Sequence, residues 1–425
     1  MTSETTSAPC NTSASNATPR LHWTESGQAR SARWRSERGA APPARVQLAD
    51  DTVNADAAYK LACEGTALLW RGDFQNARQL LQALVRRVDR AAVRPSKKSA
   101  SPVTPDEKPQ FPAAFHRMRQ VQAQRAQVLG MLLVELDAQY RITLRRAPDV
   151  AQACAEAWGV ADAAAASANG QVVSLRELLG VVSASEWRKK GVEIPALGPA
   201  DSSTDGPTYN RIHAHYGVFS PVRGEYLALV ARAPLPVHSA MRLALDIGTG
   251  TGVIAALLAR RGLPQVLATD TDARALACAQ DNINRLGVAQ QVQVLRADLF
   301  PLAEAMPAKA SVIVCNPPWL PGRAHTSLEA AVYDEGSRML LGFLQGAASR
   351  LAPGGEAWLV LSDLAERLGL RTREALLAAI EAGGLKVLAR LDTKPVHPKT
   401  QDASDPLHKA RASEITSLWR LGVAR

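Results

Sequence analysis

Two stretches of this chain place chemically useful residue types at spacings that a solvated surface does not require. The first is the run Asp246, Ile247, Gly248, Thr249, Gly250, Thr251, Gly252, which ends in the helical pattern VIAALLARRG. Glycines at such a turn strip away side chains, so a ligand can lie against bare backbone beside a helix N-terminus. A dinucleotide fingerprint needs Gly or Ala at the sixth position, where Val253 stands, and a phosphate-binding P-loop needs a following GK[ST]. The second stretch is Asn316, Pro317, Pro318, Trp319, an amide and an aromatic ring bracketing two prolines. A stiff turn would account for the prolines but not for the residues on either side of them. Asp270 in LATD and Asp298 in RADLFP add two carboxylates, each of which alone reads equally as a helix cap or turn residue.

These residues are positioned by an alternation of short β-branched runs with amphipathic helical stretches, the pattern of a doubly wound parallel sheet. The expected strands are 243–247, 265–270, 292–298, 311–315, 357–362, 385–391 and 415–421. The last two, joined by a long loop without helical period, predict an antiparallel hairpin at one edge. In such a sheet ligands bind outside the carboxyl ends of the strands, where the glycine run, both aspartates and the Asn-Pro-Pro-Trp segment all fall. The fold class expected over 208–425 is therefore α/β, with a Rossmann-like, mostly parallel, seven-stranded sheet.

The spacing DxGxGxG, with Asp246 ahead of the first glycine, resembles the first motif of class I S-adenosylmethionine-dependent methyltransferases. The resemblance implies an acid ending the second strand to accept from the ribose hydroxyls, matched by Asp270, and another ending the third strand beside the adenine, matched by Asp298. It implies S-adenosyl-L-methionine as cofactor, held by Asp246, Gly248, Thr249, Gly250, Gly252, Asp270, Asp298 and Asn316. Asn316 to Trp319 resembles the [ND]PP[YFW] motif of methyltransferases that act on planar nitrogen. The lone pair of such a nitrogen is delocalised, so the group is a poor nucleophile until two acceptors, here the side-chain oxygen of Asn316 and the carbonyl of Pro317, pull it toward tetrahedral geometry. Trp319 would stack on the flat group and orient it. The residues expected to be catalytic are thus Asn316, Pro317 and Trp319. No strong base is needed, because the methylated cationic nitrogen is itself acidic.

Upstream, Phe219, Arg223 and Glu225 lie where release-factor glutamine methyltransferases carry a PRPETE-like segment, and with Pro318 they are the expected substrate contacts; a plain helix N-terminal turn fits the same residues. The likeness to that family and to the wider small-domain methyltransferase group extends over about residues 215–392. Two departures stand out. Those enzymes usually have NPPY where this chain has Trp319, and the loop TKPVHPKTQDASDPLHKARASE is additional, bringing Lys394, His397, Lys399, His408, Lys409 and Arg411 to the edge of the crevice or merely to solvent.

The front half reads differently. Residues 1–48 are expected to form a disordered basic arm, read first as a solvated tail and second as one in which Trp23 and Trp34 stack on bases, and 49–200 a helical substrate-recognition domain with a Pro-rich linker at 93–112. Helical spacing is read through Leu61, Ala67, Leu68, Leu80, Leu81, Leu84 and Val88, with a break at Gly72 and Asp73, and through Val128, Met131, Leu132, Leu136 and Tyr140. Of the formal charge of +10, the first 242 residues carry +8, including Arg86, Arg87, Arg90, Arg94, Lys97 and Lys98 around a single Asp89. That distribution favours RNA, DNA or ribosomal partners, and the resemblance to the release-factor family implies a translation-associated protein as the alternative macromolecular partner. The function expected is methyl transfer to an exocyclic base amine or a glutamine amide, set against a non-catalytic cofactor-binding module, which has no use for a nitrogen clamp. The five scattered cysteines suggest neither a disulfide framework nor a zinc site, so no metal is expected. No apolar run reaches the roughly 18 residues of a membrane span, and a secretory signal is not readable, which gives a cytoplasmic expectation.

Overall fold

The computed structural model describes residues 19–93, 111–161, 170–198, 210–237, 242–395, 405 and 407–424. Most of the Pro-rich 93–112 stretch, Arg94, Lys97, Lys98, His397, Lys399 and Cys10 lie outside them.

The front region is not helical throughout, and residues 20–49 are not an arm. Strands β1 (Arg20–Glu25), β2 (Gln28–Arg35), β3 (Arg45–Ala49), β4 (Thr66–Trp70), β5 (Leu132–Leu136) and β6 (Gln171–Ser174) form one mixed sheet in the order β1-β2-β6-β5-β4-β3. Trp23 and Trp34 are buried on one face with Leu21, Ala32, Leu69 and Leu133, so they are core residues rather than free stacking platforms. The basic residues between them point outward by the two-residue period of a strand. Helices α1 (Ala55–Cys63), α2 (Phe74–Val93), α3 (Phe111–Leu129), α4 (Ala151–Trp158) and α5 (Leu175–Lys190) accompany this sheet, and its other face packs a larger core that includes Trp70, Phe74 and Leu84. The chain leaves α1 at Gly65, where φ is +78°, and leaves α3 at Gly130; the apolar runs that follow each are strands. Of the basic cluster, Arg87 pairs with Asp56 at 2.7 Å, and Asp89 pairs with Arg125 at 2.7 Å.

A short antiparallel pair, β7 (Val192–Glu193) and β8 (Arg211–Ile212), leads to the second unit. Its strands are β9 (Ala244–Ile247), β10 (Val266–Asp270), β11 (Val292–Arg296), β12 (Ala310–Cys315), β13 (Leu351–Ser362), β14 (Leu385–Thr393) and β15 (Thr416–Val423), in the order β11-β10-β9-β12-β13-β15-β14. The first five run parallel, and β15 is antiparallel to both neighbours, which is the expected edge hairpin. Helices α6 (Glu225–Arg232), α7 (Val253–Arg260), α8 (Ala273–Arg285), α9 (Ser327–Ala330), α10 (Arg338–Arg350), α11 (Leu364–Arg367), α12 (Arg373–Ala382) and α13 (His408–Ala412) accompany it. Apolar clusters fill both faces, so β9 and β12 are buried at every position and read in sequence as apolar runs interrupted only by the buried Asp246 and Ser311. Among the described residues no helix is long and apolar enough to cross a membrane.

Glu37 is one of several links between the two units, beside Arg38–Glu329, Arg119–Glu329 and Arg188–Asp281. Its carboxylate pairs with Arg274 at 2.7 Å and accepts from Ser327 Oγ at 3.0 Å, while its backbone N–H donates to Glu177 Oε1 at 3.0 Å. Burial, reinforced by the charge of Glu37, pushes the Glu177 carboxyl up to about 7. A carboxyl raised in the folded state favours its protonated form, so its contribution is full at acidic pH and is lost as pH climbs from the ordinary carboxylate range through that value. Between about pH 6 and about pH 8 the wild type should therefore lose about 1–2 kcal/mol more unfolding free energy than Glu177→Gln. Equal pH slopes in paired denaturant titrations would contradict this assignment.

Candidate functional site

The strand order reverses between β9 and β12, and a cavity of about 390 Å³ opens there at the carboxyl ends of the strands. Gly248, Thr249, Gly250, Asp270, Asp298, Asn316, Pro317, Pro318, Trp319, Phe219 and Arg223 all line it. Asp246, Gly252 and Glu225 do not; the structure gives those three supporting positions instead.

Gly248, Gly250 and Gly252 have φ of +72°, +55° and +80°, a region that side chains disfavour. A Cβ on Gly248 would collide with Met339, and one on Gly252 would lie 3.1 Å from the Ala279 backbone of α8. Nothing stands within 4 Å of a Cβ at Gly250, so this turn faces open cavity. Asp246 lies beneath the loop, 1% exposed, and accepts from Thr249 Oγ1 at 2.6 Å and from the Ala255 N–H at 3.0 Å. Its other oxygen has no partner, and burial pushes the carboxyl up to about 7. Its observed task is to pin the loop to the start of α7.

Asp270 ends β10 and caps the same loop from the cavity side, accepting from the Gly250 N–H and the Asp272 N–H, both at 3.0 Å. Asp298, beyond β11, pairs with Arg338 at 3.1 Å; both side chains are exposed and both line the cavity. Arg338 has no sequence signal that would have singled it out, because its place depends on the turn at Gly336 and Ser337, both at positive φ.

On the opposite wall β12 ends at Cys315 and the chain turns through Asn316. The Trp319 indole N–H donates to Asn316 Oδ1 at 2.9 Å, fixing the orientation of both side chains. The Arg223 guanidinium lies over the Trp319 ring at 5.4 Å. Arg223 is itself held by Glu225 at 3.1 Å and by Glu414 at 3.4 Å, and Glu414 also accepts from Ser362 Oγ at 2.7 Å. Glu225 is thus a buried anchor for Arg223 rather than a wall of the cavity. Phe219 is 42% exposed at the rim. From the additional loop Arg411 lines the cavity, whereas Lys394, His408 and Lys409 do not. The described residues contain no group of three or more His, Cys, Asp or Glu placed to hold a metal.

Residues 210–370 match the family model "Methyltransferase small domain". A release factor glutamine methyltransferase from Moorella thermoacetica is 37% identical over 152 residues, which cover 31% of this chain and 53% of that protein. A tRNA1(Val) (adenine(37)-N6)-methyltransferase from Parabacteroides distasonis is 33% identical over 187 residues, covering 40% of this chain and 77% of the relative. A solved methyltransferase from Pyrococcus furiosus aligns over 58% of this chain and 99% of its own at 19% identity, with a TM-score of 0.36, too slight a likeness to add to the topology above. The chain spans about half the length of the release-factor relatives it matches. On the parallel sheet, the glycine loop at its switch point and the relative matched over most of its length, the chain belongs to the methyltransferase small-domain family.

Proposed function

We propose that the chain is an S-adenosylmethionine-dependent N-methyltransferase whose acceptor is a planar primary nitrogen, a base amine or a side-chain amide, in a macromolecule. The observation that carries this reading is that one cavity holds the glycine loop and two carboxylates on one wall and Asn316 to Trp319 on the other. The residues fit the donor. A bare-backbone turn facing open space at Gly250 accepts a bulky group, and Asp270 and Asp298 offer carboxylate oxygens to hydroxyl and amine donors. When bound, S-adenosylmethionine supplies an electrophilic methyl group on a sulfonium.

The protein's share of the chemistry is placement. Asn316 Oδ1 has one lone pair committed to Trp319 and a second available to an acceptor N–H. The Pro317 carbonyl is the second acceptor, held by a residue whose φ is locked. With Arg223 over its ring, Trp319 keeps one face for the flat acceptor. That cation near the reacting nitrogen also favours its neutral form after transfer, so the proton leaves to solvent.

The test is chemical. With tritiated-methyl donor and nuclease- and protease-digested cell extract as the product source, the label should be recovered on nitrogen, as methylamine after acid hydrolysis of an amide or as an N-methylated nucleoside. Label released as methanol by mild base, or retained on carbon, would remove the nitrogen assignment.

A further inference from the structure

We infer that a second cavity, between the two units, anchors the acceptor, and that the acceptor is a polypeptide with apolar side chains. This rests on the methyltransferase reading above. The cavity, of about 750 Å³, adjoins the first: Gly217 and Val218 line both. One wall is α5, which presents Glu177, Gly180, Ala184 and Trp187 at helical spacing; another is α3; the end of β2 with the loop after it, the segment before α6 and the start of α9 line most of the rest. Its lining leaves apolar surface in water, with Trp187 55%, Val222 50% and Leu328 47% exposed. Phe219, at the mouth of the first cavity, extends this apolar track toward Asn316.

The charge in the cavity argues against a phosphodiester. Its arginines, Arg38 and Arg176, face the carboxylates Glu37 and Glu177, the latter pushed up to about 7, so no more than one of the two cations lacks a counter-charge. Arg38 is already paired with Glu329 at 3.3 Å, and Glu37 with Arg274. Nucleic acid requires cations along its backbone, whereas an extended peptide requires apolar pockets for alternate side chains and few charges. Arg176, exposed and without an ion-pair partner among the described residues, can meet a peptide carbonyl or a single carboxylate at the groove. The front unit therefore recognises sequence flanking the modified side chain, and its overall basicity is not what selects the substrate.

The experiment compares wild type with two plugging variants, Gly180→Leu and Ala184→Trp. Gly180 has open space around its missing Cβ, so a larger residue fits the fold while filling the groove. The acceptor probes are nuclease-treated native cell protein and deproteinised total RNA from the same extract, each with tritiated-methyl donor. S-adenosylhomocysteine binding by calorimetry and melting temperature are measured alongside. The expected result is label in the protein pool only, reduced about tenfold or more by either variant, with donor-product binding and melting temperature unchanged. Label in the RNA pool, or wild-type labelling by both plugged variants, overturns the polypeptide assignment and leaves the N-methyltransferase reading standing. Label in neither pool with normal S-adenosylhomocysteine binding overturns both.

Discussion

Asn316→Ala should cut kcat by about 10²–10³-fold while leaving S-adenosylhomocysteine affinity within about threefold of wild type. The substitution removes the one side-chain acceptor at the end of β12 and releases the Trp319 indole N–H that it holds at 2.9 Å. Both losses fall on the acceptor nitrogen, whose activation depends on geometry rather than on a base. The opposite wall, with Gly250, Asp270 and Asp298, is untouched, so donor affinity is the internal control. Trp319→Phe separates the two effects, keeping a ring to stack on but losing the indole N–H. It should fall between wild type and Asn316→Ala in kcat. If Asn316→Ala turns over at the wild-type rate, the nitrogen clamp is wrong; if it also loses donor binding, Asn316 acts on the donor side instead.

How much of this site was legible in sequence depended on how local each signal is. The glycine loop, Asp270, Asp298 and Asn316 to Trp319 sit at or just beyond the ends of short, largely apolar strands, and their shared edge follows from strand polarity alone. The supporting roles of Asp246 and Glu225 were not legible, since whether a carboxylate faces a cavity or a buried backbone amide is decided by packing. Arg338 and Glu37 act across 40 and 237 residues, on Asp298 and Arg274, and no local pattern encodes that.

The front sheet was missed for two separate reasons. TALLW and LLVEL carry apolar runs too short for periodicity to tell helix from strand, and each follows a real helix, so the helical period seemed to continue through Gly65 and Gly130. In β1 and β2 the buried set is only Leu21, Trp23, Ala32 and Trp34 among arginines, which by composition looks like a tail. The available signal was Ser26-Gly27, with φ of +51° and +75°, the two positive values that a tight hairpin demands. Placing Trp23 and Trp34 in a core removes the strongest sequence argument for base stacking by this region.

The second large effect is expected on the donor side. Asp270→Ala should weaken S-adenosylhomocysteine binding by about 10²-fold, because a carboxylate accepting from two hydroxyls contributes about 1.5–3 kcal/mol per hydrogen bond. The structure adds a second reason, since the same carboxylate holds the Gly250 N–H and the Asp272 N–H and so shapes the loop before any ligand arrives. Asp270→Asn distinguishes the two contributions. Its amide oxygen can keep the Gly250 contact, but it loses the charge and one acceptor, so it should bind more tightly than Asp270→Ala and more weakly than wild type. Gly250→Val attacks the same wall without touching a polar group. At φ of +55° a β-branched residue costs about 1–2 kcal/mol in backbone strain, and its side chain enters the open space that the glycine leaves. It should abolish donor-product binding in calorimetry, with only a modest fall in melting temperature because no protein atom lies within 4 Å of the new Cβ. Wild-type affinity in Asp270→Ala and Gly250→Val together would show that the donor does not occupy this wall, and with that the opposed arrangement of donor and acceptor would be lost.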